Sequence, residues 1–134
     1  MAKGFTATTH GITVMVRTFY LPEQSRPDDS HFVWAYQITI TNGGDKTVQL
    51  LRRTWFITDE TGHTRRVHGD GVVGYTPVLT PGEHFEYTSG TPLSTSSGFM
   101  TGKYHMQEVP DGGEFDIAIP AFSLDSPHQN TRLH

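Results

Sequence analysis

The sequence predicts an all-β domain, a sandwich of about seven to eight short strands, and three observations support that prediction. Apolar residues recur with a period of two along most of the chain, as in strands with one buried face. Fourteen Gly and eight Pro are spread along the sequence, as expected for turns between short strands. No segment of useful length carries an apolar stripe with the period of a helix.

The length sets the number of domains. The chain has 134 residues, enough for one hydrophobic core but not for two. We therefore expect a single domain over residues 1–134. From about residue 125 the sequence has no periodic pattern, so we expect a loosely ordered tail there.

The clearest strand begins at Phe32, because every second residue from there to Ile40 is aromatic or branched. An Asn-Gly-Gly-Asp turn follows at 42–45, and residues 48–58 form the returning strand of a hairpin. The other predicted strands are 12–17, 64–68, 85–89, 98–109 and 115–119. The predicted loops are 23–30 and 90–97. Residues 78–79, between two prolines, form an edge strand or an irregular connection.

The complete absence of cysteine restricts both the fold and the chemistry. Among immunoglobulin-like and fibronectin type III-like sandwiches, it excludes the bridged immunoglobulin core and favours the fibronectin type III side. It also excludes thiolate catalysis and cysteine-ligated zinc or iron–sulfur sites.

Net charge and hydropathy limit the classes of partner and the cellular compartment that the sequence predicts. A net charge of −4 provides no broad basic field, so no nucleic-acid partner is expected. The N-terminus has no secretory pattern, and no run of about 18 apolar residues indicates a membrane span. We therefore expect a cytoplasmic protein that does not bind membranes.

Residues 69–74, Gly-Asp-Gly-Val-Val-Gly, have the glycine spacing of a dinucleotide-binding loop. That loop must open a helix, whereas β-branched residues and Pro77 follow here. The acidic residue expected about 20 positions later is also missing. The spacing is therefore not a dinucleotide-binding fingerprint.

Two interpretations of these glycines remain. They permit a bulge or a positive-φ turn at a corner of a sheet. Alternatively, their N–H groups converge as an anion nest, supported by the basic stretch directly upstream and opposed by the acidic residue inside the loop. The residues of that hypothetical site are Gly69, Asp70, Gly71, Gly74, Arg65, Arg66 and His68.

No catalytic residue, metal ligand or cofactor is assigned. The eight histidines are scattered, without H-x-H, H-x-x-E-H or H-E-x-x-H spacing, and we interpret them as solvated surface residues. The hydroxyl-rich run at 91–97 lacks the G-x-S-x-G pattern of a nucleophile elbow. A Ser–His–Asp triad is left open, because its members meet only in space. We expect the chain not to be an enzyme.

Most aromatic residues lie on the buried side of the predicted strands. Tyr75 and Phe99 fall outside that pattern, so we predict that both are exposed and contact a protein partner. The aromatic residues expected in the core are Trp34, Tyr36, Trp55, Phe85, Tyr87, Tyr104 and Phe115.

Several motifs in order along the chain resemble the ApaG domain. The longest are Trp-Ala-Tyr-Gln-Ile-Thr-Ile-Thr-Asn at 34–42 and Val-Gln-Leu-Leu-Arg-Arg-Thr-Trp-Phe-Ile-Thr-Asp at 48–59. The others are 69–74 with Pro77, 79–83, 87–90 and 97–106. The resemblance covers nearly the whole chain, from Val14 to Phe122.

The resemblance implies a fibronectin type III-like sandwich and a link to cobalt and magnesium resistance. Similar domains appended to F-box proteins imply a role in protein recognition, and the family brings no established catalytic residues. We therefore expect a non-catalytic binding module for an unknown protein partner. The alternative is binding of a phosphate-containing small molecule, a diadenosine polyphosphate or pyrophosphate, through 69–74. Unpaired edge strands leave a homodimer open.

Overall fold

The structure, a computed structural model, describes residues 3–128 and is an all-β sandwich of two antiparallel sheets. The strands are β1 (Lys3–Thr9), β2 (Ile12–Tyr20), β3 (Phe32–Asn42), β4 (Val48–Asp59), β5 (Thr64–Asp70), β6 (Val78–Leu79), β7 (His84–Leu93), β8 (Ser97–Glu108) and β9 (Glu114–Asp125). The first sheet has the order β1-β2-β3-β7. The second has the order β5-β4-β8-β9, with the short β6 also paired to β4.

The all-β sandwich is confirmed, and the strand missing from the sequence prediction is β1. Its inward positions are Phe5, Ala7 and Thr9, of which only Phe5 is strongly apolar, so the sequence shows no clear alternation there. The strand forms because its backbone pairs with β2 from Thr9↔Ile12 onward. His10 and Gly11 make the two-residue turn, with φ values of 52° and 78°.

The predicted loop at 90–97 is wrong over most of its length. Strand β7 continues to Leu93 and β8 begins at Ser97, so only residues 94–96 connect them. Pairing with β3 decides this, since Gly90 lies opposite Ala35 and Pro92 opposite Val33. A proline is tolerated there because β7 is an edge strand. The predicted loop at 23–30 contains two short 3-10 helices, Pro22–Gln24 and Pro27–Asp29.

The C-terminal end of the described residues is hydrogen-bonded to the sandwich. Strand β9 runs to Asp125, and the Ser126 N–H donates to the Ser96 carbonyl at 3.2 Å. The rest of the tail predicted from about residue 125, namely 129–134, lies outside the described residues.

The core lies between the sheets and is formed by alternate residues of each long strand. Of the seven aromatic residues expected there, Phe85 and Phe115 are half-buried and the other five are buried. Tyr87 and Tyr104 join the two sheets through their hydroxyl groups, which lie 2.6 Å apart. Burial raises the pKa of both phenols well above the usual value.

The two sides of the sandwich differ. On one side β1 meets β9: the Phe5 and Phe122 rings pack at 5.9 Å, and the Ala118 N–H donates to Thr9 Oγ1 at 3.1 Å. On the other side, in the part of the chain that the structure describes, β5 pairs only with β4, and β7 pairs only with β3. A cleft between the sheets opens on that second side.

Candidate functional site

The glycine segment 69–74 lies where β5 ends at the open side of the sandwich. Gly69 and Asp70 are the last residues of β5, and the chain then reverses through Val73 and Gly74, whose φ values are 43° and 87°. Two hydrogen bonds of 2.8 Å close this turn between Val72 and Tyr75. The segment therefore contains a tight turn of the kind that glycine permits.

The N–H groups of Gly71 and Val72, within this segment, are hydrogen-bonded inside the fold. The Gly71 N–H donates to the Leu51 carbonyl at 2.8 Å, and Val72 and Tyr75 donate to each other. An anion nest requires successive N–H groups that converge outward on a ligand. These three hydrogen bonds favour the structural interpretation of the glycines, and phosphate binding by the segment stays a prediction.

Gly69 has a separate role, which is to make room for the side chain of Arg53. A Cβ atom at position 69 would lie 3.0–3.2 Å from three atoms of the Arg53 guanidinium. Arg53 Nη1 donates to the carbonyl oxygens of Asp70 at 2.9 Å and of Gly71 at 2.7 Å. The glycine segment thus holds an arginine between the sheets.

Arg53 reaches this position because β4 is irregular. The register with β8 shifts between Leu50 and Arg52, and this bulge places Arg53, Trp55 and Ile57 on the same face of the strand. Simple alternation from Leu50 would instead direct Arg52 inward, and the predicted site did not include Arg53. An arginine two residues before an inward tryptophan was the signal that could have found it.

The cleft between β5 and β7 has a volume of about 210 Å³ and continues into a second of about 360 Å³. Ile57, Arg65 and Pro92 line both parts. The floor of the first part combines aromatic, aliphatic and hydroxyl groups: Tyr36, Trp55, Val67, Ser89, Thr91 and Met100. We define these two connected spaces, with Arg53 and Arg65, as the edge cleft.

The edge cleft contains two arginines, Arg53 and Arg65, and one carboxylate, Asp59 at its far mouth, in a chain with a net charge of −4. Among residues 3–128, no carboxylate oxygen lies within 4.0 Å of a charged nitrogen of Arg53 or Arg65. The Arg65 guanidinium spans the cleft weakly, with Nη2 3.4 Å from the Pro92 carbonyl oxygen. Burial raises the pKa of Tyr36, opposed by a hydrogen bond with Ser89 and by the positive charge of Arg53.

The structure does not bring the predicted basic residues together. Arg65 lies opposite Ile57 in the register and faces the cleft. Arg66 lies opposite Phe56, and His68 opposite Thr54, so both point to the outer face. Neighbouring residues of a strand point to opposite faces, which is why one basic stretch is divided between two surfaces.

Four side chains on that outer face form one hydrogen-bonded chain across four strands. Asp116 Oδ1 lies 2.7 Å from His105 Nδ1, and His105 Nε2 lies 2.8 Å from Thr54 Oγ1. Thr54 Oγ1 lies 2.7 Å from His68 Nδ1. No sequence motif indicates this chain, because the strand register alone brings its members together. His105, with 16% of its side chain exposed, is an exception to the prediction of solvated histidines.

Carboxylate, imidazole and hydroxyl follow one another here in the order of a hydrolytic triad. Thr54 is only 2% exposed, however, and its oxygen lies between two imidazole rings whose centroids are 5.7 Å apart. A nucleophilic hydroxyl must be open to a substrate carbonyl. We therefore interpret these four hydrogen-bonded side chains as a network that joins the strands of the second sheet.

Tyr75 and Phe99 are 61% and 47% exposed, which confirms the predicted exposure. Tyr75 packs on Phe85 at 5.9 Å at the end of the sandwich where the glycine turn lies, whereas Phe99 lies opposite Thr58 on the outer face. They belong to different surfaces. Contact of either residue with a partner stays a prediction.

Metal-ligand clusters and membrane spans are both lacking within residues 3–128. No three His, Cys, Asp or Glu side chains there are arranged to hold a metal ion. That part of the chain also contains no helix that is both long and apolar enough to cross a membrane.

Comparison with known proteins agrees with this fold. The ApaG domain family model matches residues 22–108. Protein ApaG of Paramagnetospirillum magneticum is 59% identical over 97% of this chain and 99% of its own length, and that of Parvibaculum lavamentivorans is 54% identical with the same coverage. A crystal structure of an ApaA protein from Bordetella pertussis superposes with a TM-score of 0.84 at 45% identity, covering 88% of this chain and 95% of that one. The chain therefore belongs to the ApaG family.

Proposed function

We propose that this chain is a non-catalytic binding module that takes up an extended segment of a protein partner along the open edge of β5. One observation carries the proposal. The two strands that border the edge cleft, β5 and β7, each leave one edge without a partner in the described chain, while the opposite side of the sandwich is closed. An unpaired edge beside a lined cleft supplies main-chain hydrogen bonds and side-chain pockets together.

The ladder identifies the backbone groups that face the open edge. In an antiparallel pair, hydrogen-bonded and non-hydrogen-bonded residue pairs alternate. The Asp59 N–H donates to His63, and the Gly71 N–H donates to Leu51, so the odd-numbered residues between them point to β4. Thr64, Arg66 and His68 therefore direct their N–H and carbonyl groups outward, where a partner strand can use them.

Hydrogen exchange tests this proposal residue by residue. We expect the amides of Thr64, Arg66 and His68 to gain protection when the partner binds, because they become part of a new ladder. The amides of Arg65 and Val67 are bonded to β4 in both states, so their protection changes little. Equal changes at odd and even positions would contradict strand addition.

Capture of the partner from a lysate at near-physiological salt tests the proposal when wild type is compared with a variant whose β5 edge is blocked. Arg66→Pro removes one outward N–H and leaves the β4 ladder intact, so we expect it to stay folded and to lose the partner. Arg66→Gln is the matched control, which removes the charge but keeps the N–H. A protein captured equally by wild type and Arg66→Pro does not use this edge.

A second copy of the chain is the competing occupant. Light scattering over a range of concentrations distinguishes it, because a dimer formed through this edge would be lost in Arg66→Pro. That outcome would replace the proposed partner by the chain itself.

We place the module in the cytoplasm, and we propose that the family's link to cobalt and magnesium resistance acts through the partner. Within residues 3–128, no three His, Cys, Asp or Glu side chains are arranged to hold a metal ion. Calorimetric titration with CoCl₂ and with MgCl₂ checks it. Tight binding of either ion to the isolated chain would contradict the proposal.

A further inference from the structure

We infer that the edge cleft binds a carboxylate of the partner segment, held by the guanidinium groups of Arg53 and Arg65. This inference rests on the proposed function, because the carboxylate reaches the cleft as a side chain of the strand added to β5. It names what the edge recognises, whereas the proposed function names only where binding occurs.

Arg53 has hydrogen-bond donors that the described residues of its own chain do not use. Within the part of the chain that the structure describes, its side chain donates through Nη1 alone, to the carbonyls of Asp70 and Gly71. A guanidinium has five donors in a planar fork that matches a carboxylate. The two carbonyls fix the orientation of the fork without neutralising its charge, so an incoming anion meets a prepositioned group.

Both arginines also lack a counter-ion within the described residues. Two cations of the second sheet do have one: Arg52 Nη2 lies 2.8 Å from Glu114 Oε1, and Lys103 Nζ lies 3.7 Å from Asp116 Oδ2. Arg53 is half-buried and lines the cleft together with Trp55 and Tyr36, where a charge without a partner is more costly than in water. A carboxylate bound there would gain charge-assisted hydrogen bonds in a partly desolvated site.

The edge cleft lies directly beside the open edge of β5, because Arg65 and Val67 of that strand line it. A strand added to β5 places every second side chain on the inner face, beside Arg65, Val67 and Gly69. Gly69 has no Cβ, so the Arg53 guanidinium itself lies against the inner face of β5 at this position. An aspartate or glutamate at that register of the partner therefore enters the cleft between the two guanidiniums.

Peptide selection tests the inference while the partner is unidentified. The immobilised chain is offered a display library of random peptides of seven residues, the length of β5. We expect wild type to enrich an Asp or Glu at one fixed position, and Arg65→Gln to lose that enrichment. Arg66→Gln, the neighbouring arginine on the outer face, is the matched control and should select the same peptides as wild type.

The selected peptide then allows a quantitative check. Replacing its acidic residue by Gln or Asn should weaken binding to wild type by about ten- to a hundredfold, the range for a hydrogen-bonded charge pair. The same replacement should have little effect on binding to Arg65→Gln. Arg53→Lys is informative only if its melting temperature shows that it folds, since Arg53 also holds the glycine turn.

The outcomes separate the two proposals. Peptides that need the open amide of Arg66 but carry no preferred acid overturn the carboxylate inference and leave the edge proposal standing. Displacement of the peptide by inorganic pyrophosphate, but not by equal concentrations of acetate, overturns it in favour of a phosphate ligand. If wild type enriches no peptide and gains no edge protection, both proposals fail.

Discussion

The two sides of the sandwich carry different kinds of side chain. Where β1 meets β9, the contact is aromatic: Phe5 packs on Phe122 at 5.9 Å, and His10 packs on Phe115 at 5.4 Å. Where β5 faces β7, the cleft is bordered by Arg53 and Arg65. One side of this small sandwich is thus closed by aromatic contacts, whereas the other side keeps a cleft between the sheets.

The difference has a simple physical basis. On the closed side, burial of apolar rings stabilises the contact between the sheets, and the rings need no hydrogen-bonding partner for this. Guanidinium groups cannot join the sheets in this way, because their solvation is lost unless an acceptor replaces it. We therefore expect substitution of the rings on the closed side to affect folding, and substitution of Arg65 on the open side to affect mainly binding.

The largest expected effect is on the closed side. Phe122 is 2% exposed and packs on Phe5, Tyr36 and Trp55, so Phe122→Ala should lower the free energy of unfolding by about 3 to 5 kcal/mol. Arg65→Ala, on the open side, should cost about 0.5 kcal/mol or less. Urea denaturation of both variants measures the contrast, and similar losses would remove the basis of the comparison.

The next largest effect concerns the glycine turn that bounds the edge cleft. A Cβ at position 71 would overlap the Tyr75 carbonyl oxygen at a φ of +60°, whereas one at position 74 meets open space at a φ of +87°. We expect Gly71→Ala to cost about 2 to 4 kcal/mol and Gly74→Ala about 1 kcal/mol. Thermal unfolding of the pair checks this, and equal losses would mean that backbone conformation alone decides both positions.

The buried pair Tyr87 and Tyr104 should make stability depend on alkaline pH. Their pKa values are raised in the folded state by burial, so both phenols stay protonated while those of the unfolded chain ionise above about pH 10. This stability contribution is present below about pH 10 and is lost as the pH rises further.

Tyr104→Phe tests this pH dependence. It should cost about 1 to 3 kcal/mol near neutral pH, because the Tyr87 hydroxyl is left unpaired. It should also flatten the alkaline loss, which denaturation at several pH values would show. Tyr75→Phe, at an exposed position, is the control and should change neither quantity. An unchanged alkaline loss in Tyr104→Phe would contradict the role of the buried pair.

The smallest expected effect lies at the far mouth of the edge cleft. The pKa of Asp59 is lowered by the hydrogen bond from the Thr61 hydroxyl and by those from the backbone of His63 and Thr61. A lowered folded pKa contributes stability above the unfolded value of 3.8, which is lost as the pH falls through the folded value.

The melting temperatures of wild type and Asp59→Asn should therefore differ slightly at neutral pH and converge in acid. Asp28→Asn, in an exposed 3-10 helix, is the control for a general loss of negative charge. A gap for Asp59→Asn that widens in acid would be contrary to the sign of the shift.

Much of the fold was predictable, and the failures have identifiable causes. The strand from Phe32 shows strict alternation and was placed within a few residues of its ends. β1 was missed because its inward residues are not consistently apolar, and the end of β7 was missed because Gly90 and Pro92 suggest a loop. In both strands, backbone pairing with a neighbour overrides the local sequence preference.

The candidate site was predictable only in part. The position of the glycine segment and its turn were visible in the sequence, and so was the exposure of Tyr75 and Phe99. The role of Arg53 was not visible, because the bulge after Leu50 reverses the parity of β4. The hydrogen-bonded network that runs from Asp116 to His68 was not visible either. It depends on the register of four strands, which no single segment of the sequence encodes.

The sequence by itself determined the all-β class, the buried face of each long strand and the turn at the glycines, because periodicity and φ requirements are local properties. Only the tertiary structure decided which edges stay open and which arginine faces the space between the sheets. Those properties depend on register and on the packing of one sheet against the other, which distant segments set together. The glycine segment thus binds Arg53 of its own chain, and the open side that it bounds is where a partner is expected.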